Sequence, residues 1–230
     1  MLAMMAKQML RRRDTEFLAK LGAMSAPLTI EVVSDVICPW CYIGKRRLGK
    51  AIAALKGEVS TVIRWLPFQL NPGMPPEGMP RAAYRAAKFG SVERSRELDA
   101  RVAREGESEG IAFSFDAIKR TPNTVAAHTL VGLAQEQGHA DAVVDALFRA
   151  YFEDAQDIGD TETLAAIAQR CGVSGWPRRE SATEVVALDQ QMRELGISGV
   201  PTFIFARKLA VSGAHPPETL MQAIRESSAT

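Results

Sequence analysis

The chain has 230 residues, with 28 Lys and Arg against 27 Asp and Glu for a formal net charge of +1, and 47% of its residues are hydrophobic. Charge balanced this closely excludes the basic excess that drives non-specific nucleic-acid binding, and the composition excludes a disordered chain. Three cysteines, in a chain long enough to bury a core without staples, point to a reducing compartment and to a chemical role for any pair.

Near the start, Arg11, Arg12 and Arg13 precede Phe17 and Leu18, but Asp14, Glu16 and Lys20 break the ~7 to 15 apolar residues that a secretory peptide needs. Residues 1–26 are therefore read as a leader outside the core, with Met24 an alternative start, and the protein as cytoplasmic. No apolar run approaches the ~20 residues of a membrane-spanning helix. Over residues 28–36, Leu28, Ile30 and Val32 alternate with Thr29, Glu31 and Val33, the pattern of a largely buried strand. The strand runs into Cys38, Pro39, Trp40 and Cys41, after which Leu48, Ala51, Ile52 and Leu55 recur at helical spacing up to Gly57. Pro39 suits a first helical position, where its missing N–H is no loss, so a helix opens at the cysteine pair. Residues 59–68 read as a second strand, and the prolines and glycines over residues 67–80 mark an irregular crossing.

Residues 81–195 read as helical almost throughout. Residues 91–109 are charged and thinly supported by Leu98 and Val102, a solvent-facing helix. Thr121 and Pro122 start a helix with Ala126, Leu130, Leu133 and Ala134 on its buried face. Residues 139–152 carry one apolar stripe, and Asp160 caps a helix bearing Leu164, Ile167, Ala168 and Cys171. Strand character returns over residues 200–205 and 209–212, and a last helix follows Pro216 and Pro217. A helix between the first two strands implies a right-handed crossover and a parallel pair, while the last two strands form an antiparallel hairpin.

Two cysteines separated by two residues at the first turn of a helix form a redox arrangement. At the N-cap, free N–H groups and the positive end of the macrodipole favour a Cys38 thiolate. A shift of two pKa units is about 2.7 kcal/mol, whereas a helix terminus supplies ~0.3 to 1 and at most ~2 kcal/mol, so direct N–H and S–H hydrogen bonds to the sulfur are expected to supply the rest. Cys41, one turn further in, is placed to resolve a mixed disulfide formed by Cys38. The competing reading, half of a zinc site, needs two more ligands from Cys171, His128, His139 and His215, with no second CxxC and no paired His. No metal and no cofactor are expected.

The run Gly-Ile-Ser-Gly-Val-Pro-Thr from Gly196 to Thr202 puts Pro201 just before a strand. A cis Val200–Pro201 bond there would turn the Val200 backbone toward an extended substrate chain, whereas an ordinary edge-strand proline is the plainer alternative. Trp40 is expected to be exposed as a contact surface, beside Pro39 and Val200. Cys171 reads as a small buried hydrophobe, His128 as a hydrogen-bonding residue of the helical block, and Glu31 as an acid whose strand face is not assured.

Val33-Ser34-Asp35, Cys38-Pro39-Trp40-Cys41-Tyr42-Ile43-Gly44, residues 66–72, residues 120–124 with Ala127 and His128, and Gly199-Val200-Pro201-Thr202-Phe203 together resemble the DsbA-like thioredoxin superfamily, and more narrowly its FrnE-like branch, over residues 28–225. The resemblance implies an α/β chain: a thioredoxin fold, a mixed sheet with flanking helices, interrupted by an all-helical insertion domain. It implies thioredoxin-fold segments at residues 27–78 and 178–230, with the insertion at 79–177. It also implies a Cys38 nucleophile, a resolving Cys41 and a cis Pro201. Periplasmic members carry a His where this chain has Trp40, so reduction or isomerisation of protein or peptide disulfides is expected in preference to net oxidation, with glutathione a further partner and neither nucleic acid nor membrane involved. A glutathione-dependent isomerase of the hydroxychromene-carboxylate type, usually with Ser in place of Cys38, and a non-enzymatic holdase are the rival functions.

Overall fold

The structure, a computed structural model, describes residues 26–178 and 181–229; of the segment read as a leader, only Ala26 falls within it. Strand β1 (Leu28–Ser34) leads through a tight loop into helix α1 (Pro39–Ala54), and the chain returns in β2 (Thr61–Pro67), parallel to β1 with Ile30 opposite Ile63. Far downstream, β5 (Thr202–Phe205) lies antiparallel on the other edge of β1, with Val32 opposite Phe203. Its hairpin partner is β6 (Leu209–Ser212), giving the sheet order β2-β1-β5-β6. A strand paired on both edges and covered on both faces has no solvated side, and every residue of β1 except Thr29 is buried. Ile30 and Val32 join the main core with Leu48 of α1, while Val33 packs with Phe68 and Met192.

Between β2 and β5 come β3 (Met79–Pro80), α2 (Arg81–Phe89), α3 (Val92–Glu107), β4 (Arg120–Thr121), α4 (Val125–Glu136), α5 (Ala140–Phe152), α6 (Thr161–Arg170) and α7 (Ser181–Glu194). Helix α8 (Pro217–Ser228) closes the described chain and packs on α1. Asp160 caps α6 as expected, accepting the Thr163 N–H at 2.8 Å.

Two expectations for this region are corrected. Residues 121 and 122 do not begin a helix: a residue before proline is pushed toward extended backbone, and Thr121 pairs with Met79 in a two-stranded ribbon. Helix α4 starts only at Val125, whose N–H donates to Asn123 Oδ1 at 3.0 Å, while Asn123 Nδ2 donates to the Met74 carbonyl. A two-residue ribbon thus sits among the helices between β2 and β5. Helix α3, read as solvent-facing, buries Ser95 and Val102.

The helix that carries the cysteines is bound into the inserted segment through side chains spread over residues 42–50. The Tyr42 ring stacks on Phe148 of α5 with centroids 5.0 Å apart, and its hydroxyl donates to Glu153 while accepting from Arg46 at 2.9 Å. Lys45 reaches Asp141 and Asp145 at 3.2 and 3.3 Å. Arg47 binds Glu105 and Glu109 at 2.8 and 2.7 Å, and Lys50 binds Glu109 at 2.7 Å. Among the described residues no helix is long and apolar enough to cross a membrane.

Candidate active site

Cys38 is the N-cap of α1, with extended backbone (φ −92°, ψ 113°) and Pro39 at the first helical position. Its carbonyl accepts the N–H groups of Cys41 (3.0 Å) and Tyr42 (3.3 Å). The expected N–H hydrogen bonds to its sulfur are absent, because the side chain makes no cap bond. Of the two N–H groups that a cap side chain ordinarily reaches, those of Trp40 and Cys41, the latter is taken by the Cys38 carbonyl. The Cys38 thiol instead donates to the carbonyl of Val200 at 3.6 Å. The Val200–Pro201 bond is cis. Pro201 is buried and packs on α1 at Gly44, where a Cβ would lie 2.9 Å from the proline Cγ and 3.0 Å from the Phe203 ring.

Cys41 lies behind Cys38, 2% exposed, and both are free thiols. Burial first, then the hydrogen bond and like charge of Cys38, hold the Cys41 pKa well above its ordinary value; the Ser34 hydroxyl and the Asp35 backbone N–H offset this in part. In the dithiol, Cys41 therefore keeps its proton.

A cavity of about 560 Å³ opens over the pair, lined by Cys38, Pro39, Trp40 and Val200. Trp40 is half-buried and packed on the core, which corrects its expected exposure. Helices α2 and α3 supply the opposite wall: apolar Phe89, Leu98 and Val102 beside cationic Arg81, Arg85, Lys88 and Arg101. Asp99 bridges Arg81 at 3.0 Å and also binds Arg85. The charged pattern of residues 91–109, which looks like a solvated face in sequence, thus forms part of a cavity wall. Cys41 and Pro201 support the site from behind without lining this cavity.

Other candidates fall elsewhere. Glu31 is buried but paired with Arg207 at 3.2 Å and Arg64 at 3.8 Å, away from the cysteines. Cys171 caps the C-terminus of α6 and is only half-buried, its pKa pushed up by that burial. Sequence reasoning missed Asp35 as a site residue although it adjoins the motif. Asp35 is fully buried; it accepts the Leu70 N–H at 2.8 Å, and its Oδ1 lies 3.3 Å from Nε2 of His128. His128 thus reaches the cysteine loop instead of serving only its own helical block. Among the described residues no group of three or more His, Cys, Asp or Glu is placed to hold a metal ion.

A family model for the DSBA-like thioredoxin domain matches residues 29–225. Uncharacterized protein YwbO of Bacillus subtilis (strain 168) is 27% identical over 205 residues, covering 86% of this chain and 96% of its own. The crystal structure of a probable DsbA oxidoreductase, SCO1869 of Streptomyces coelicolor, superposes with a TM-score of 0.78 at 32% identity, covering 87% of this chain and 90% of that one. The cytosolic disulfide reductase DsbM of Pseudomonas aeruginosa, solved with GSH, shares the fold at 17% identity and a TM-score of 0.60, covering 88% of this chain and 100% of that one.

Proposed function

The chain belongs to the DsbA-like thioredoxin-domain family, and from that premise we propose that it is a thiol-disulfide oxidoreductase or isomerase acting on protein or peptide disulfides. Cys38 is the nucleophile, Cys41 the resolving thiol, and Val200 with Pro201 the rest for the substrate chain; Trp40 and Pro39 are its contact surface. The observation that carries this reading is the Cys38 sulfur at a helix N-cap, on a cavity wall and 3.6 Å from the Val200 carbonyl.

The Cys38 thiolate attacks one sulfur of the substrate disulfide; that bond breaks, and the departing sulfur takes a proton. Cys41 then gives up its own proton and attacks Cys38. The mixed disulfide breaks, the second substrate thiol leaves, and two electrons have passed from the pair to the substrate. A low-molecular-weight thiol resets the pair, which fits a cytoplasmic setting poised at roughly −220 to −320 mV.

Trapping tests the assignment. Cys41→Ser accumulates a covalent adduct with a disulfide-bonded peptide, seen as a mass increase at Cys38, and Cys38→Ser forms none. Disulfide reduction persisting in Cys38→Ser overturns it.

The four cations beside Cys38 favour a second reading for small substrates. Arg81, Arg85, Lys88 and Arg101 suit the carboxylates of glutathione, as partner in exchange or as cofactor of a hydroxychromene-carboxylate type isomerisation. Isomerase turnover that survives Cys38→Ser while exchange is lost would select the latter.

A further inference from the structure

Resolution has a proton problem. Cys41 must lose a proton to attack Cys38, yet it is buried, and a bound polypeptide covers the cavity in front of Cys38. A second cavity of about 410 Å³ shares no lining residue with the first. Its wall includes Ser34, Trp65 and His128, which are 4%, 5% and 6% exposed. Each presents one buried polar atom that completes no hydrogen bond within the protein: Ser34 Oγ, Trp65 Nε1 and His128 Nε2. Buried polar atoms left open in this way are the sites that ordered water fills, and the volume suits several waters at about 30 Å³ each.

We propose that this rear cavity takes up water and, through Ser34 and His128, carries away the proton that Cys41 loses as it resolves the mixed disulfide. The proposal rests on the assignment of Cys38 and Cys41 as the redox pair. Ser34 lines this cavity and its hydroxyl is also among the groups that ease ionisation of Cys41; completing no hydrogen bond, its oxygen is free to accept from the thiol and donate into the cavity. His128 lies on the same wall, with the buried Asp35 carboxylate 3.3 Å from its ring, so a positive charge formed there has a counter-charge in place. The Asp35–His128 contact is close but misdirected for a hydrogen bond, so the ring is not locked to the carboxylate. The other charged groups on the cavity are Arg64 of β2, Glu136 of α4 and Glu184 of α7. Arg64 and Glu136 are engaged elsewhere, with Glu31 and Arg178. On the thiol side, Cys38 and Asp35 face Cys41.

Reaction with dithiobis-nitrobenzoate in a Cys171→Ser background separates the steps. Cys38 attack releases one equivalent of nitrothiobenzoate, and Cys41 attack on the resulting mixed disulfide releases the second with loss of the Cys41 proton. Near neutral pH, Ser34→Ala and His128→Gln are expected to slow the second release by about tenfold or more, the low end of general-base contributions, while the first changes less than about twofold. The difference narrows as pH rises and hydroxide takes over. Imidazole restores the second release in His128→Gly; should that variant not fold, Ser34→Ala decides the matter. A second release unaltered in Ser34→Ala, or equal slowing of both releases, overturns the proposal while leaving the redox pair intact. Absence of any second equivalent in the Cys171→Ser parent defeats the pair itself.

Discussion

Two glycines on one helix should respond oppositely to the same substitution. A methyl group at Gly44 would sit 2.9 Å from Pro201 Cγ, whereas at Gly49, on the exposed side of α1, it meets nothing within 4 Å. Carbon atoms pack best at about 3.5–4.0 Å, so Gly44→Ala must drive Pro201 back by roughly 0.7 Å, and a proline ring in a buried loop has no rotamer to absorb that. Overpacking costs about 1–3 kcal/mol, against about 0.8–1 kcal/mol gained from alanine's helix propensity. The net effect is a destabilisation of up to about 2 kcal/mol, a fall in Tm of up to about 8 °C for a chain of this size. Because Val200 moves with Pro201, disulfide turnover should fall by about tenfold or more, given that a 1 Å misplacement can cost about a hundredfold. Gly49→Ala should raise Tm by about 2 °C and leave turnover alone. The assays are thermal unfolding of the reduced protein and turnover of a fluorogenic peptide disulfide. A Gly44→Ala protein as stable and as active as Gly49→Ala would refute the claim that close packing of α1 on Pro201 sets the site.

The remaining predictions use the same geometry. Cys41 keeps its proton when folded at pH values where the unfolded thiol has lost it, so the folded state binds more protons and stability falls as pH rises beyond about 8.5, by at most ~1.4 kcal/mol per pH unit. Urea midpoints of the reduced protein should therefore drop more between about pH 8 and about pH 10 than those of Cys41→Ala, and parallel drops would contradict the burial argument. Tyr42 and Tyr151, each pushed up to about 12 by burial, add a loss of the same sign at still higher pH. Lys88→Glu and Arg101→Glu should slow reaction with the anionic disulfide of glutathione about three- to tenfold more than with an uncharged disulfide, a gap that added salt closes. Tyr42→Phe keeps the stacking on Phe148 but strips the hydroxyl from Glu153 and Arg46; differential scanning should show a loss of about 1–3 kcal/mol, and an unchanged transition would mean this network is idle.

Features governed by neighbours along the chain are legible in the sequence. Pro39 marks a helix start through its own ring, the alternation in residues 28–34 survives as β1, and two short apolar runs close in sequence pair as a hairpin. Contacts across long separations are not legible there. Asp35 and His128 meet only because α4 is folded over the loop after β1, and no local pattern marks either residue for the other. Strands β3 and β4 are two residues each, too short for a period, so residues 121 and 122 read as a helix start. Trp40 and the polar face of α3 look solvent-facing in sequence because each meets the other's side of the cavity, a partner supplied by tertiary packing.

The clamp made by Arg47 on Glu105 and Glu109 ties α1 to the C-terminal end of α3. Helices α2 and α3 are laced together by Arg85, whose guanidinium donates to the Ser95 hydroxyl and carbonyl at 2.6 and 3.0 Å. Their shared corner at Gly90 stands a full helix length from that clamp, about 24 Å for the 16 residues of α3. The cavity wall that faces Cys38 is thus anchored to the cysteine helix from the far end of α3.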